Sequence, residues 1–470
     1  MIEGLQPYPE VAVRTADWLP ALPRHWELHR AKTSFREVDE RSVNGDEELL
    51  SVSHKTGVTP RSQKNVTMFM AESYEGHKTC QPGDIVVNTL WAWMAALGTS
   101  KHVGIVSPAY GVYRQRAAMF DPLYLDYLLR TETYRGEYLR SSRGITTSRL
   151  RLYPPDFLNI PFIQPPLDEQ RLIVRFLDWH SAMTAKLIRA KRRLIALLNE
   201  QKQSIIHRAV TRGLDPAAKL KPSGVDWLGD VPEHWEVKRL KFACQVNPRT
   251  SAPSADIHVT FLPMENVGTT GQVDYSNQRP TADVSTGYTP FQQGDVILAK
   301  ITPCFENGKG ALLSDMPTAI GYGSTEFIVL RPMPGLLADY AYLLTVDPAF
   351  RLRGTEAMTG SAGQQRVSPD FVANWVIGVP PEAEQSAICA HVRDHTAEFD
   401  AAIRKVQSEI KFIQEFRIRL IADVVTGQLD VRDVAASLPE VAEAEIADDL
   451  TDGGELDDDA EDFIDEEEAA

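Results

Sequence analysis

Two stretches of the sequence, DWLPALPRHWE at residues 17–27 and DWLGDVPEHWE at residues 226–236, are nearly the same. The aspartate, both tryptophans, the histidine and the proline before it keep identical spacing, 209 positions apart. The match extends backwards at the same offset, from Gly4-Leu5-x-Pro7 to Gly213-Leu214-x-Pro216. Because tryptophan is rare, agreement in register at two of them indicates that the chain contains a duplicated unit.

Each copy continues with short strand-like runs interrupted by glycine and proline. QPGDIVVN (81–88) matches QQGDVILA (292–299), and each reads as a turn followed by a buried strand. Further on, PPDFLNIPFIQPPLDEQ (154–170) matches SPDFVANWVIGVPPEAEQ (368–385). The duplication therefore covers a whole globular unit and the beginning of the segment after it.

After each Pro-Pro the sequence predicts a long helix. No glycine or proline occurs from Leu167 to Arg212 or from Glu382 to Thr426, and the acidic residues after each Pro-Pro favour a helix start. Apolar residues recur in heptads, as expected of a coiled coil. The predicted seam residues are Leu187, Leu194, Val392, Phe399, Val406, Ile413 and Leu420.

Each seam needs a partner, and the simplest partner is the helix of the other copy. We therefore expect an α+β fold in which two homologous globular units are joined by two long antiparallel coiled-coil helices about a pseudo-twofold axis. VTGQLD (425–430) resembles VTRGLD (210–215), where the second copy begins. The end of the second helix should accordingly lie near Gly4.

The net charge of −16 is concentrated at the C-terminus. Residues 431–470 hold 17 of the 65 acidic residues and one of the 49 basic ones, so the rest of the chain is balanced. This composition predicts a disordered solubilising tail, with competition for a basic surface as the alternative. With four scattered cysteines, no apolar run of membrane-spanning length and no signal peptide, we expect a cytoplasmic protein with no metal site.

Motifs of common active sites are absent from the sequence. There is no nucleotide-binding glycine loop, HExxH or GxSxG. Asp230, Glu236 and Lys238 superficially resemble the acidic residues and lysine of a metal-dependent nuclease, but the first copy has Ala21, Glu27 and His29 there. We interpret this segment, with His25 and His234, as structural, and we expect no catalysis by this chain.

The globular units instead carry basic, hydroxyl and amide residues on loops, the groups that contact phosphates and base edges. Segments 54–65 and 140–151 predict DNA-binding residues Lys55, Arg61, Lys64, Arg140, Arg143, Thr146, Thr147 and Arg149 in the first unit. Segments 299–310, 321–327 and 359–368 predict Lys300, Thr302, Lys309, Ser324, Thr325, Gln364, Gln365 and Arg366 in the second. Such loops also occur on ordinary protein surfaces.

Two further features allow two interpretations. Trp91 and Trp93, two residues apart on a presumed strand, would share one face, which favours a core position over a nucleic-acid contact. Between Arg171 and Arg212 the first helix has ten basic residues against Asp178 and Glu200. That basic face is either simply solvated or faces DNA phosphates or an acidic partner helix.

Taken together, these features resemble the specificity subunits of type I restriction–modification systems. The resemblance rests on DWLGDVPEHWEV (226–237), TPCFENGKG (302–310), GYGSTEF (321–327) and the PPLDEQ helix start (165–170), and it covers residues 4–430. The chain departs from the pattern in PPEAEQ at the second helix start, in DWLPALP at the first opening, and in the acidic tail.

The resemblance implies target recognition domains at 1–165 and 213–380, spacer helices at 166–212 and 381–430, and an acidic tail at 431–470. Each recognition domain would read one half of a bipartite, asymmetric double-stranded DNA site. The helices would set the gap between the halves and bind two methyltransferase subunits, and two restriction subunits would join them. S-adenosylmethionine, ATP and magnesium would be used by those partners, and adenine methylation and cleavage would be their reactions.

The alternative is a coiled-coil scaffold whose globular units bind proteins. It explains the heptads but not the arginine- and glutamine-bearing loops of both units. Salt-dependent DNA binding would distinguish the two.

Overall fold

The computed structural model describes residues 5–12, 16–63, 73–146, 149–361 and 363–439. They divide into two compact units. Unit 1 comprises the described residues within 1–192 and 407–470, and unit 2 comprises those within 193–406.

Unit 1 is built on a four-stranded antiparallel sheet in the order β2-β9-β6-β7. A separate antiparallel pair, β1 with β10, connects its opening segment to the first long helix. The strands of this part of the chain are β1 (Glu27–Arg30), β2 (Phe35–Glu37), β3 (Leu50–Ser53), β4 (Gly57–Pro60), β5 (Lys78–Cys80), β6 (Ile85–Val87), β7 (Leu97–Thr99), β8 (Gly104–Val106), β9 (Gly111–Gln115) and β10 (Pro161–Gln164).

Short helices cover one face of this sheet and close the core of unit 1. They are α1 (Ala31–Ser34), α2 (Pro122–Leu129), α3 (Glu132–Ser141) and α4 (Pro154–Asn159), followed by the long helix α5 (Leu167–Arg212). Tyr124, Tyr134 and Tyr138 are fully buried among them. The hydroxyl of Tyr124 donates to the Ile163 and Val425 carbonyls, so the core includes the end of the second long helix.

Unit 2 repeats the same sheet order with β14-β21-β18-β19, all antiparallel, and the same two-stranded pair with β13 and β22. Its strands are β11 (Leu220–Pro222), β12 (Asp230–Pro232), β13 (Glu236–Arg239), β14 (Cys244–Val246), β15 (His258–Leu262), β16 (Gln278–Pro280), β17 (Thr289–Gln292), β18 (Val296–Ala299), β19 (Gly310–Leu312), β20 (Ile320–Gly323), β21 (Phe327–Pro332) and β22 (Val376–Val379). The helices are α6 (Thr281–Val284), α7 (Ala338–Val346), α8 (Pro348–Glu356), α9 (Pro369–Asn374) and the long α10 (Glu382–Val425), and α11 (Arg432–Ser437) comes after them.

The duplication extends to individual contacts. The buried Asp84 pairs with Arg114 at 2.8 Å in unit 1, and the buried Asp295 pairs with Arg331 at 2.8 Å in unit 2. Gln170 and Gln385, both fully buried at the starts of the long helices, each donate to the carbonyl five residues earlier. These paired contacts show that both copies keep the same scaffold.

The duplicated opening segment holds the start of each long helix. His25 Nε2 lies 2.7 Å from Glu169 Oε2 in unit 1, and His234 Nε2 lies 2.7 Å from Glu384 Oε2 in unit 2. The neighbouring Trp235 donates its indole N–H to Glu384 at 3.1 Å. The interpretation of both histidines as structural groups agrees with these contacts.

Glycine is required where each long helix ends beside this segment. A Cβ on Gly427 would lie 2.3 Å from the Pro23 side chain, and one on Gly213 would lie 3.2 Å from the Trp235 ring. Both glycines have positive φ, 72° and 71°, which favours glycine at the end of a helix. Beyond Gly427, Asp430 donates its backbone N–H to the Gln6 carbonyl at 2.8 Å. This contact agrees with the expected return of the chain to its beginning, although Gly4 itself lies outside the described residues.

The seam of α5 has the predicted heptad period but another register. Its buried and half-buried row consists of Leu177, Ser181, Thr184, Ile188, Lys191, Ile195, Leu198, Lys202, Ile205 and Ala209. Leu187 and Leu194 precede this row by one residue and are 46% and 44% exposed, so their assignment to the seam was wrong. The error arose because lysines occupy seam positions, which an apolar pattern misses.

In α10 the predicted seam residues fall in one buried row. Val392, Val406 and Leu420 are buried, and Phe399 and Ile413 are half-buried. Within unit 1, the His180 and Phe416 rings lie 6.0 Å apart while Lys191 Nζ lies 2.6 Å from Glu409 Oε2, which makes the two segments antiparallel. Within unit 2, Lys202 Nζ lies 2.6 Å from Asp400 Oδ1. Two cations of the basic helix thus face acidic residues of α10.

The folded chain extends beyond the predicted start of the tail at residue 431. Val431 and Ala435 are fully buried in the core of unit 1, and Arg432 pairs with Asp430 at 2.6 Å. Charge alone placed the predicted boundary too early, because VRDVAAS carries an apolar face despite its acidic continuation. Residues 440–470 lie outside the described part of the chain.

The predicted fold class, α+β with two homologous globular units and two long helices, is confirmed. The long helices, at Leu167–Arg212 and Glu382–Val425, lie within the ranges predicted for them. Throughout the described residues, no helix combines the length and apolarity needed to cross a membrane.

Candidate nucleic-acid interface

In unit 2 the fold brings all three predicted DNA-binding segments together. Lys300 N–H donates to the Glu326 carbonyl at 2.8 Å, which joins segments 299–310 and 321–327. Thr302 N–H donates to the Gln365 carbonyl and Val367 N–H to the Lys300 carbonyl, both at 2.9 Å. These backbone bonds hold the segments beside one another at the C-terminal end of β18.

An ion-pair cluster occupies the centre of this surface. The Arg366 guanidinium donates to both Glu326 oxygens, at 2.9 Å and 3.0 Å, and Lys300 Nζ lies 4.0 Å from the same carboxylate. The hydrogen bond from Arg366 lowers the pKa of Glu326, and the nearby Lys300 charge acts in the same direction. A third Arg366 nitrogen donates to the Gln364 carbonyl at 3.1 Å. Arg366 therefore organises the loops, in addition to any contact it makes with a ligand.

The other predicted residues of unit 2 are of two kinds. Thr302 and Lys309 are half-buried and donate to backbone carbonyls of Gln365 and Met264, both at 3.0 Å. Ser324 accepts from the Glu326 N–H at 3.2 Å. Thr325 and Gln364 are exposed, and Gln365 is half-exposed. The exposed side chains are the ones placed to reach a ligand, and the others shape the loops.

A buried arginine beneath this surface was missed in the sequence. Arg351 of α8 donates to the Phe305 carbonyl at 3.0 Å, and its guanidinium lies 4.8 Å from the centre of the Phe305 ring. Burial lowers its pKa to about 10. Its Nε and one Nη have no hydrogen-bond partner in the described chain. Nothing in the sequence around Arg351 marks it, because its role depends on a loop 46 positions away.

In unit 1 segment 54–65 is attached to α2. Arg130, which directly follows α2, donates to the carbonyl of His54 at 3.1 Å and to that of Lys55. Lys55 and Arg61 are half-buried. The predicted residue Lys64 lies outside the described residues.

In segment 140–151 of unit 1, Arg143 and Arg151 form a short antiparallel bridge. Arg143 N–H and Arg151 N–H each donate to the other's carbonyl at 2.9 Å. Arg140 pairs with Glu137 and Arg143 with Asp156, at 2.8 Å and 2.6 Å, and the bond to Glu137 raises the pKa of Arg140. Thr146 and Arg149 are exposed, and Thr147 lies outside the described residues.

The prediction that Trp91 and Trp93 share a strand was wrong. Trp91 precedes, and Trp93 lies within, a single 3-10 turn at Ala92–Met94, because the short connection between β6 and β7 leaves no room for a strand. The two rings are stacked, with centroids 6.0 Å apart, and both are partly exposed. The Trp91 indole N–H is buried and finds no acceptor among the described residues.

These tryptophans hold the position in unit 1 that Thr302 and Lys309 hold in unit 2. Both segments connect the two adjacent central and edge strands, β6 to β7 and β18 to β19. The sequence contains a sign of this correspondence, because QPGDIVVN matches QQGDVILA and these two stretches immediately precede the two segments. Trp91 and Trp93 thus join the candidate residues of unit 1.

The residues weighed as a nuclease site are engaged in strands. Asp230 lies in β12, while Glu236 and Lys238 of β13 pair with one another at 2.8 Å. In the part of the chain that the structure describes, no group of three histidine, cysteine or acidic side chains could hold a metal ion.

Comparison with known proteins gives a consistent result. The chain is 38% identical over 163 residues to the type I restriction enzyme EcoAI specificity subunit of Escherichia coli, which covers 34% of this chain and 27% of that protein. It is 23% identical over 346 residues to the type I restriction enzyme MjaVIII specificity subunit of Methanocaldococcus jannaschii, covering 70% and 76%. The chain is thus similar to type I restriction enzyme specificity subunits, in one part at 38% identity and over most of its length at 23%.

The fold comparison shows a shared architecture. A chain of a solved type I restriction–modification system, from work on its complex assembly and conformational transition, superposes with a TM-score of 0.58 at 17% identity, covering 86% of this chain and 98% of that one. No protein-family model matches the chain. The chain spans about a quarter of the EcoAI specificity subunit in the matched region, so what the whole family member does and binds is a proposal for this chain.

Proposed function

We propose that this chain is the DNA sequence-specificity subunit of a type I restriction–modification complex, and that it performs no catalysis itself. The observation that carries the proposal is the duplicated scaffold with unlike loops. Asp84–Arg114 and Asp295–Arg331 repeat the same buried pair, whereas the neighbouring loops carry tryptophans in one unit and an Arg366–Glu326 cluster in the other. One scaffold presenting two different surfaces suits the reading of two different half-sites.

Each unit would read one half of a bipartite double-stranded DNA site. In unit 2 the exposed Thr325 and Gln364 and the partly exposed Arg366 supply the donors and acceptors that base edges require. In unit 1 the exposed Arg140, Arg143 and Arg149 supply cations, and the tryptophan pair supplies apolar surface. We therefore expect two half-sites of different sequence.

The long helices would set the gap between half-sites and bind the methyltransferase subunits. Outside its seam, α5 carries a second apolar row with heptad spacing, in which Met183, Leu187, Leu194 and Leu197 are 38%, 46%, 44% and 50% exposed. Leucines in such a row are typical of a face covered by another helix. A methyltransferase helix lying along this row would complete a helical bundle.

The reactions would belong to the partners. Two methyltransferase subunits would use S-adenosylmethionine to methylate adenine, and two restriction subunits would use ATP and magnesium for cleavage. The contribution of this chain would be to place them on the target sequence. DNA contacts made by a body without net charge also fit a chain that gains affinity from its partners.

The test is the adenine methylation pattern of the source genome with and without this gene. We expect a single two-part motif with a fixed gap to lose its methylation on deletion, and reintroduction of the gene to restore it. An active system whose methylated motifs are unchanged by deletion would contradict the proposal and favour a protein-binding scaffold. Capture of partners that include no methyltransferase would support that alternative.

A further inference from the structure

Three exposed polar residues occur at the same place in both units. Arg30 and Lys32 of unit 1 correspond to Arg239 and Lys241 of unit 2 at the same 209-residue offset as the duplicated tryptophans. Asn159, the last residue of α4, corresponds to Asn374, the last residue of α9. All six are exposed. Burial explains why Trp26 and Trp235 match in the two copies, but it does not explain these exposed residues.

The backbone around them is the same in both units. Arg30 ends β1 with φ −65° and ψ 140°, and Arg239 ends β13 with φ −74° and ψ 146°. The next N–H donates across the strand pair in each unit, from Ala31 to Ile160 at 2.9 Å and from Leu240 to Trp375 at 2.7 Å. Each cation pair is therefore held at a fixed turn beside the end of a short helix.

The asparagine is oriented in the same way in each unit. Asn159 donates its side-chain N–H to the Pro155 carbonyl at 2.9 Å, and Asn374 donates to the Asp370 carbonyl at 2.9 Å. In unit 2 the Asn374 oxygen accepts from Lys241 at 2.9 Å and from Arg239 at 3.4 Å. The amide thereby draws both cations to one point.

The four cations form no ion pair with a carboxylate in the described chain. The exposed acid of each strand contacts another residue of the same strand, Glu27 with His29 at 2.7 Å and Glu236 with Lys238 at 2.8 Å. Alternate strand residues face opposite sides, so Arg30 and Arg239 point away from those acids. Among the described residues, a pair of exposed cations without an acidic partner is thus repeated in both copies and is available to an external anion.

We propose that Arg30, Lys32 and Asn159, and equivalently Arg239, Lys241 and Asn374, form two phosphate-binding sites that hold the DNA backbone irrespective of base sequence. The inference rests on the proposed function. Residues that read bases should differ between units, because the half-sites differ, whereas the backbone is the same in both half-sites. Arginine, lysine and side-chain amides are the groups that contact phosphate. The repetition of these residues therefore favours DNA phosphate over a base edge.

The test uses the assembled complex, with its methyltransferase subunits, and measures DNA affinity against salt concentration. The variants are R30Q/K32Q, R239Q/K241Q and the four combined. Arg36→Gln is the matched control, because Arg36 is also exposed and its counterpart in unit 2, Gln245, shows that the scaffold accepts glutamine there. Cognate DNA and DNA without the site are both titrated.

We expect the slope of log affinity against log salt to decrease by about one for each phosphate that is no longer bound, so by about one in each double variant and about two in the combination. The ratio of cognate to non-cognate affinity should stay within about twofold of wild type, and the control should behave as wild type. An unchanged slope would overturn the inference, and loss of methyltransferase binding with an unchanged slope would assign the cations to a protein partner instead. A wild-type complex without site-specific binding would instead refute the proposed function itself.

Discussion

Arg366 joins two loops of unit 2 by donating to both carboxylate oxygens of Glu326, 40 positions away, at 2.9 Å and 3.0 Å. The pair is only partly exposed, and it stands where segments 299–310, 321–327 and 359–368 meet. This two-pronged contact is the side-chain link between segments that backbone hydrogen bonds also hold together, and its central position makes it the first target for mutation.

Arg366→Ala should impair recognition of one half-site only. Loss of the two hydrogen bonds removes the side-chain link between Arg366 and Glu326. We expect cognate affinity to fall about tenfold or more, the scale of losing hydrogen bonds to a charged group. The matched variant Arg149→Ala changes an exposed residue of unit 1. Binding to DNA with one half-site scrambled at a time should assign the two variants to different halves. Loss of the same half in both would contradict the assignment.

Charge reversal in the seam should be rescued by reversal of its partner. Lys191→Glu places two acids together where Lys191 Nζ and Glu409 Oε2 lie 2.6 Å apart. Because Glu409 is substantially exposed, we expect a loss of only about 0.5–1 kcal/mol in the free energy of unfolding, measured in urea. K191E combined with Glu409→Lys should recover most of it. A double variant no more stable than K191E would show that the pair does not couple the helices.

Inserting one heptad into both long helices should lengthen the gap between half-sites. Seven residues are inserted between Lys191 and Lys202, and seven more between Asp400 and Glu409. The insertions preserve the seam period and add about 10 Å to each helix. We expect a gap longer by about three base pairs with both half-sites unchanged, at about 3.4 Å per base pair. The gap is measured from the methylated motif in the genome of cells that carry the variant. An unaltered gap would exclude a spacer role.

The exposed apolar row of α5 should be needed for assembly and not for folding. We expect Leu187→Glu combined with Leu194→Glu to leave the unfolding transition unchanged, because both side chains are already exposed. Copurification with the methyltransferase subunits should fall at least about tenfold, since a charge within a helix–helix interface must be desolvated. Leu214→Glu, at a leucine 38% exposed beyond the helix, is the control. Normal assembly of the double variant would place the partner elsewhere.

Unit 2 should become less stable as the pH rises above neutral, because the ion pair of His207 with Asp347 is lost when His207 gives up its proton. Its Nδ1 lies 2.8 Å from the Asp347 carboxylate, and this hydrogen bond raises the pKa of His207 above its usual 6.5. The stabilisation is complete below the unfolded pKa and is lost as the pH rises through the higher folded pKa. The difference in unfolding free energy between wild type and His207→Gln should therefore be largest near about pH 6 and shrink towards about pH 9. A constant difference would indicate that the histidine stays uncharged.

Prediction from the sequence succeeded where a pattern of neighbouring residues reflects the burial or helix formation of that same segment. The repeated Trp26 and Trp235 mark a duplicated scaffold because a buried ring tolerates little change. The absence of glycine and proline marks the long helices. It failed where a distant contact decides. Leu187 appeared to be a seam residue until Lys191 and Lys202 proved to occupy the seam, and the tail appeared to begin at Val431, which is buried in the core.

The sequence by itself determined the duplication, the α+β class, the two long helices and the segments rich in DNA-binding residue types. Only the tertiary structure decided the register of the seam, the meeting of three loops around Glu326 and the place of Trp91 and Trp93. It also decided that the repeated Arg-x-Lys pair is exposed and lies beside an asparagine. The physical reason is that periodicity and composition record which side chains are buried or solvated along one element. Hydrogen bonds such as those of Arg366 and Asn374 join residues 40 and more than 130 positions apart, and no local pattern encodes them.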